Sequence, residues 1–229
     1  MQAIAIRADK NIVGYTQYTI PIIEKFCKKW DATLEYINEP PPVMTDDNKP
    51  HYRIMQVHDL LDKYDRVLCL DADMLILPNC PNPFDEVPED KIGTIFEDKG
   101  TRRPTRLKYI QDIQRSWGNV GWTQHYSNAG TFMVSKKHQN IFTDFEGKYW
   151  TAWGSADVHL SFQGRRFNHQ FHELSFKWNH MTMFSESWNN NADRFNSYII
   201  HYAGRGIFDA SNRIEQIKKD IKTAYENGI

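Results

Sequence analysis

The sequence predicts an α/β fold with one mostly parallel central sheet flanked by helices, and three observations carry that prediction. Short apolar runs alternate along the chain with stretches of helical periodicity, the pattern of a mostly parallel sheet. One run, Val67-Leu-Cys-Leu70, is uninterrupted, as a strand covered on both faces requires. That run ends at Asp71-Ala-Asp73, which puts two carboxylates where open α/β sheets gather their ligands.

Taken in order, Gln2–Arg7 alternates as a first strand. Residues 18–30 place Ile20, Ile23, Phe26 and Cys27 at helical spacing, and residues 33–37 read as a second strand, completing a βαβ opening. Glu39-Pro-Pro-Pro42 forbids regular structure and marks a loop. Residues 51–64 carry Ile54, Val57, Leu60 and Leu61 on one helical face, and the strand bearing Asp71 and Asp73 follows. Strands are expected at 91–96 and 129–134, and helices at 105–117 and 138–150. A polar loop at 185–196 precedes the apolar strand Tyr198-Ile-Ile-His201. A last helix from about Asn212 aligns Ile214, Ile217 and Ile221 and is expected to end at Gly228.

Composition narrows the function. The 229 residues suffice for a substantial core and read as a single domain over 1–229, as a free-standing module or as part of a longer chain. A formal net charge of -1 gives no bulk drive toward nucleic acid or anionic membrane, so any phosphate must be bound locally. No apolar stretch approaches the roughly 20 residues of a membrane span, and no basic segment precedes an apolar run at the N-terminus, so no membrane anchor is expected. Cys27, Cys69 and Cys80 form an odd, sparse set without metal-finger spacing, which suits reduced thiols and a cytoplasmic setting.

Asp71 and Asp73 carry the chemistry. Residues two apart on an extended chain point the same way, so both carboxylates can reach one hard cation, Mn²⁺ or Mg²⁺, whose shell substrate phosphates complete. Two acids capping a loop after a strand produce the same tripeptide.

Tyr64-Asp-Arg-Val-Leu-Cys-Leu-Asp-Ala-Asp73, Ser127-Asn-Ala-Gly130 and His201-Tyr-Ala-Gly204 stand in this order after an N-terminal βαβ unit and His51-Tyr-Arg53. Together they resemble a nucleotide-sugar glycosyltransferase of the GT-A fold, and most closely family 8, the group that includes glycogenin and bacterial galactosyltransferases. The resemblance spans about 4–204. It implies a nucleotide-binding half at about 1–100, an acceptor- and sugar-binding half at about 101–229, a UDP-sugar donor and a glycan or glycoprotein acceptor. It makes Asp71, Asp73 and His201 the metal ligands and Arg53 a contact to donor phosphates or sugar, a role that a planar guanidinium suits. Ala8, Asp9 and Tyr15 match the region holding uracil and ribose, although Tyr15 can equally start the first helix by packing inward. Ala72, Gly204 and Arg205 complete the donor site, while Asn128 and Gly130 match the Asn-x-Gly element of the sugar pocket. Asp157 then bonds sugar hydroxyls or faces the reacting carbon.

Two departures stand out. Val158 takes the place of the family's Gln, and Ile207 the place of a Lys, which leaves Arg205 to supply positive charge to the diphosphate. Two other readings fit parts of the pattern. Asp-x-Asp at a strand end also suits a haloacid-dehalogenase-like phosphohydrolase, with Asp71 as nucleophile, although Leu75 stands where that pattern wants Thr or Val. A silent glycan-binding module would keep the aromatic rims, such as Trp178 and Trp188, but has no need for the acids, Arg53 and His201 together.

Overall fold

The computed structural model describes residues 1–8, 12–41, 49–204 and 206–226. Its elements run β1 (Gln2–Arg7), α1 (Val13–Lys29), β2 (Ala32–Ile37), α2 (Lys49–Tyr52), α3 (Val57–Lys63), β3 (Arg66–Asp71), β4 (Met74–Ile76), α4 (Pro83–Glu86) and β5 (Lys91–Phe96). They continue through α5 (Arg103–Trp117), β6 (Ser127–Ser135), α6 (Ser155–Arg166), β7 (Gln170–Glu173), β8 (Ile199–His201) and α7 (Arg213–Ile221).

Six strands form the central sheet in the order β2-β1-β3-β6-β5-β7. β1 pairs in parallel with β2 and β3, and β5 with β7, while β6 runs antiparallel between β3 and β5. The mostly parallel sheet expected from the alternating pattern is therefore present, with one reversed strand. Strand alternation divides the core between two layers. Ile4, Ile6, Leu68, Leu70 and Met133 pack on one face with α1, β4 and β8. Ala3, Ala5, Val67, Cys69, Phe132 and Val134 pack on the other with α3 and α6. All three cysteines are buried and unpaired. No helix among the described residues is long and apolar enough to cross a membrane.

Most expected elements appear within a few residues of their positions, and two regions differ. Residues 138–150 are not a helix: a 3₁₀ stretch, Lys136–Ile141, gives way to a turn at Glu146 and Gly147 with φ of 52° and 77°. Gly147 N–H donates to Asp144 Oδ1 at 2.7 Å, a side-chain bond across the turn that outweighs the apolar spacing of Ile141, Phe142, Tyr149 and Trp150. The helix lies later, at α6, which is buried on nearly every side and so shows no single apolar face. The expected helix end at Gly228 lies outside the described residues.

Candidate functional site

Strand register assembles the site. In the parallel β1–β3 pair Arg7 stands beside Asp71, and in the β3–β6 pair Leu70 faces Thr131, which brings Gly130 alongside Asp71. A second, two-stranded sheet pairs Met74 of β4 with His201 of β8, which swings His201 in next to Asp73. Ligand atoms of Asp71, Asp73 and His201 lie within 4.8 Å of one another. His201 Nε2 is 3.5 Å from Asp71 Oδ2 and 3.3 Å from Asp73 Oδ1. Two carboxylates and one imidazole facing a common point form a donor set that can hold a divalent cation.

The electrostatics fit that role. Burial alone would lower the His201 pKa, but Asp73 and Asp71 together lift it above the ordinary histidine value. Burial likewise works against Asp73, whose carboxyl His201 and Arg213 nonetheless hold below the usual range. Arg7 pairs with Asp71 at 2.5 Å and also donates to the Ala129 carbonyl at 2.9 Å. Arg213, the first residue of α7, pairs with Asp73 Oδ2 at 3.2 Å and lies 5.4 Å over the Tyr15 ring.

A cleft of about 310 Å³ opens beside the carboxylates, lined by Arg7, Ile12, Tyr15, Pro50, His51, Arg53, Asp71, Ala72 and Asp73. Tyr15 and Arg53 thus share one cleft with Asp71 and Asp73. Burial and the adjacent Asp73 carboxylate raise the Tyr15 hydroxyl to about 12, so it enters the cleft as a neutral ring. Ala72 is fixed from below, its carbonyl accepting from Thr19 Oγ1 at 2.7 Å. Ala8 instead lines a neighbouring groove with Val13, Thr16 and Tyr36. Gly204, at φ 65°, offers its carbonyl to Arg213. Asp9 and Arg205 lie outside the described residues.

Asp157, in the first turn of α6, accepts from the Ala129 N–H at 2.9 Å and borders a second cleft of about 570 Å³. That cleft shares His51 with the first and includes Trp153, which is 80% exposed. Burial and the nearby Glu97 carboxylate push the Asp157 pKa to about 7. Asn128 turns its amide into the protein and meets Glu97, Asn179 and the Gly130 N–H. Gly130 is squeezed between the parts: a Cβ there would stand 2.7 Å from Asn128 Oδ1 and 2.9 Å from both Asp71 Oδ2 and His201 Cε1. Trp178 is 1% exposed and belongs to the core, and Trp188 packs edge-on against Phe184 at 5.8 Å.

Sequence reasoning missed Arg7, Glu97, Asn179 and Arg213. Arg7 was legible as the polar last residue of a strand destined to lie beside β3. The other three meet the site only through tertiary packing.

No family model matches the chain, and no curated protein matches it by sequence. Solved structures match its fold. An active-site mutant of LgtC aligns at a TM-score of 0.64 and 14% identity, over 98% of this chain and 96% of that one. The galactosyltransferase LgtC in complex with donor and acceptor sugar analogs aligns at 0.62 and 14%, over the same 98% and 96%. A glycosyltransferase involved in glycosylation of the major capsid of PBCV-1 aligns at 0.60 and 14%, over 95% of this chain and 97% of that one. Identities this low speak to architecture, and the architecture is the GT-A glycosyltransferase fold.

Proposed function

We infer that the protein is a metal-dependent glycosyltransferase of the family 8 type, transferring a sugar from a UDP-sugar to a hydroxyl of a glycan or glycoprotein with retention of anomeric configuration. The observation that carries this reading is the convergence of Asp71, Asp73 and His201 at the carboxyl end of β3, inside a GT-A fold. Mn²⁺ or Mg²⁺ suits that oxygen-rich set. Once bound, such a cation neutralises charge on a departing nucleoside diphosphate.

The chain's own groups then have separable tasks. Arg7 offsets the Asp71 charge and ties β1 to the start of β6 through the Ala129 carbonyl. Arg53 offers a planar guanidinium to donor oxygens, and Tyr15 a neutral ring face to the base. Arg213 stands beside Asp73 and supplies positive charge where Ile207 lacks it. Asp157, held by Ala129 at the border of the second cleft, is placed to meet sugar hydroxyls, and that cleft is the place for the acceptor. With retention, the departing diphosphate oxygen takes the acceptor hydroxyl proton as the new glycosidic bond forms. Three unpaired thiols agree with a reducing, cytoplasmic setting.

The phosphohydrolase reading loses ground because Leu75 stands where that pattern wants Thr or Val. The test is release of UDP from a panel of UDP-sugars with and without Mn²⁺, followed by the anomeric configuration of the product. Manganese-dependent turnover with retention supports the reading. Inversion would instead make Asp157 the candidate base, and an aspartyl phosphate trapped on Asp71 would restore the phosphohydrolase.

A further inference from the structure

The buried polar groups behind the metal-ligand cluster form one continuous chain with a defined direction. At its far end Glu97 receives two N–H groups from Arg106, Nε at 2.8 Å and Nη2. A carboxylate held in this way can only accept, so Asn128 must present Nδ2 to it, as observed. Asn128 Oδ1 then faces the other way and accepts from the Gly130 N–H at 2.8 Å and from Asn179 Nδ2 at 2.8 Å. With its Nδ2 committed, Asn179 turns Oδ1 toward His201 Nδ1 at 2.7 Å. An amide oxygen cannot donate, so the proton of neutral His201 must sit on Nδ1. Nε2, the nitrogen facing both carboxylates, keeps its lone pair.

From this geometry we propose that Glu97, Asn128 and Asn179 are positioning residues that dictate the His201 tautomer, so that Nε2 is always the nitrogen offered to a divalent cation. The inference rests on the metal-dependent reading above and extends it to residues outside the cation's own ligand set. Every member is buried: Glu97 at 2% exposure, Asn128 at 8%, Asn179 at 0% and His201 at 4%. Water therefore does not compete for these bonds, and reversing one amide would set acceptor against acceptor or donor against donor. The Gly130 N–H reinforces the direction at the midpoint by donating to Asn128 Oδ1, without setting it alone. Asn128 is thereby largely spent. Both lone pairs of its oxygen are filled, and a single N–H remains for any sugar.

Metal-ligating histidines owe their orientation to the group on the opposite ring nitrogen, and losing that partner typically costs about 10- to 100-fold in metal affinity. Asn179→Leu removes the partner of Nδ1, and Glu97→Gln removes the acceptor-only end that sets the direction while leaving the His201 contact in place. Two readouts are taken on the intact protein: Mn²⁺ affinity from the free-ion paramagnetic resonance signal, and the His201 tautomer from proton–nitrogen correlation spectra of metal-free protein labelled at histidine nitrogen, at alkaline pH. The wild type is expected to show the Nδ1–H form, Asn179→Leu the Nε2–H form with Mn²⁺ affinity about 10- to 100-fold weaker, and Glu97→Gln a mixture of tautomers with an intermediate loss. An Nε2–H wild type overturns the proposal. So do variants that keep the wild-type tautomer and Mn²⁺ affinity, and Glu97→Gln decides alone if Asn179→Leu does not fold. Because the tautomer is read without metal or nucleotide, a wild type that shows Nδ1–H yet binds no Mn²⁺ refutes the metal-dependent reading and leaves the relay standing.

Discussion

Replacing Gly130 by alanine perturbs the site where its ligands and their supports meet. The added Cβ would lie 2.7 Å from Asn128 Oδ1 and 2.9 Å from Asp71 Oδ2 and His201 Cε1. Ordinary contact begins at 3.4 Å, so relief needs a shift of about 0.7 Å at Asn128 and about 0.5 Å at each of the others. None of the three moves freely. Asn128 Oδ1 holds two donors, His201 Nδ1 is bonded to Asn179, and Asp71 is paired with Arg7. Overpacking of this kind costs about 1–3 kcal/mol, which in a chain of this length lowers Tm by roughly 2–12 °C. A binding constellation tolerates displacements of only about 0.5 Å, so Mn²⁺ affinity should fall at least about 10-fold. Thermal melting and a paramagnetic-resonance titration of Mn²⁺ measure the two effects. A Gly130→Ala protein that melts and binds Mn²⁺ as the wild type does would refute the packing argument.

Three further outcomes follow from the same geometry. Arg66→Met leaves the Phe84 and Val87 carbonyls without their buried guanidinium, which should cost about 2–4 kcal/mol in denaturant unfolding yet spare Mn²⁺ binding, because Arg66 sits at the opposite end of β3. Asp157, at about 7 in the folded protein, lies above its unfolded value, so its contribution to stability is complete below the unfolded pKa and is lost as pH rises through about 7. Asp157→Asn removes that loss, and melts taken from mildly acidic to mildly alkaline pH should show the variant gaining on the wild type by a few kcal/mol at most; a constant difference would contradict the assignment. Arg213→Met removes the cation beside Asp73 and Tyr15, and calorimetry should find UDP bound about 10-fold more weakly in the presence of Mn²⁺, the modest size reflecting a partly solvated side chain.

The fold was legible where the hydrophobic pattern had one simple period. β1 and β3 alternate or run apolar, α7 carries Ile214, Ile217 and Ile221 on one face, and its N-cap Asn212 accepts from Glu215 N at 3.0 Å. α6 escaped because its buried residues include His159, Ser161 and Gln163, polar side chains that blur any apolar stripe. In the site, Asp71, Asp73 and His201 were legible because the chain places them at or just past strand ends, inside the Asp71-Ala-Asp73 and His201-Tyr-Ala-Gly204 motifs. Glu97, Asn179 and Arg213 were not, since each reaches the centre by tertiary packing: Glu97 just beyond β5, Asn179 through a turn ending the 3₁₀ stretch Phe176–Trp178, Arg213 by the docking of α7. Arg66 at the start of β3 and Arg213 at the start of α7 have no spacing that marks their partners. Their roles follow from which carbonyls and carboxylates the fold brings to them.

Calorimetric titration of UDP-sugars into the wild type and Asp73→Ala, each with Mn²⁺ and with chelator, tests the central claim most directly. The account predicts that at least one UDP-sugar binds the wild type only with Mn²⁺ and that Asp73→Ala abolishes this binding while the protein stays folded. Equal binding in chelator, or no nucleotide binding under either condition, would contradict it.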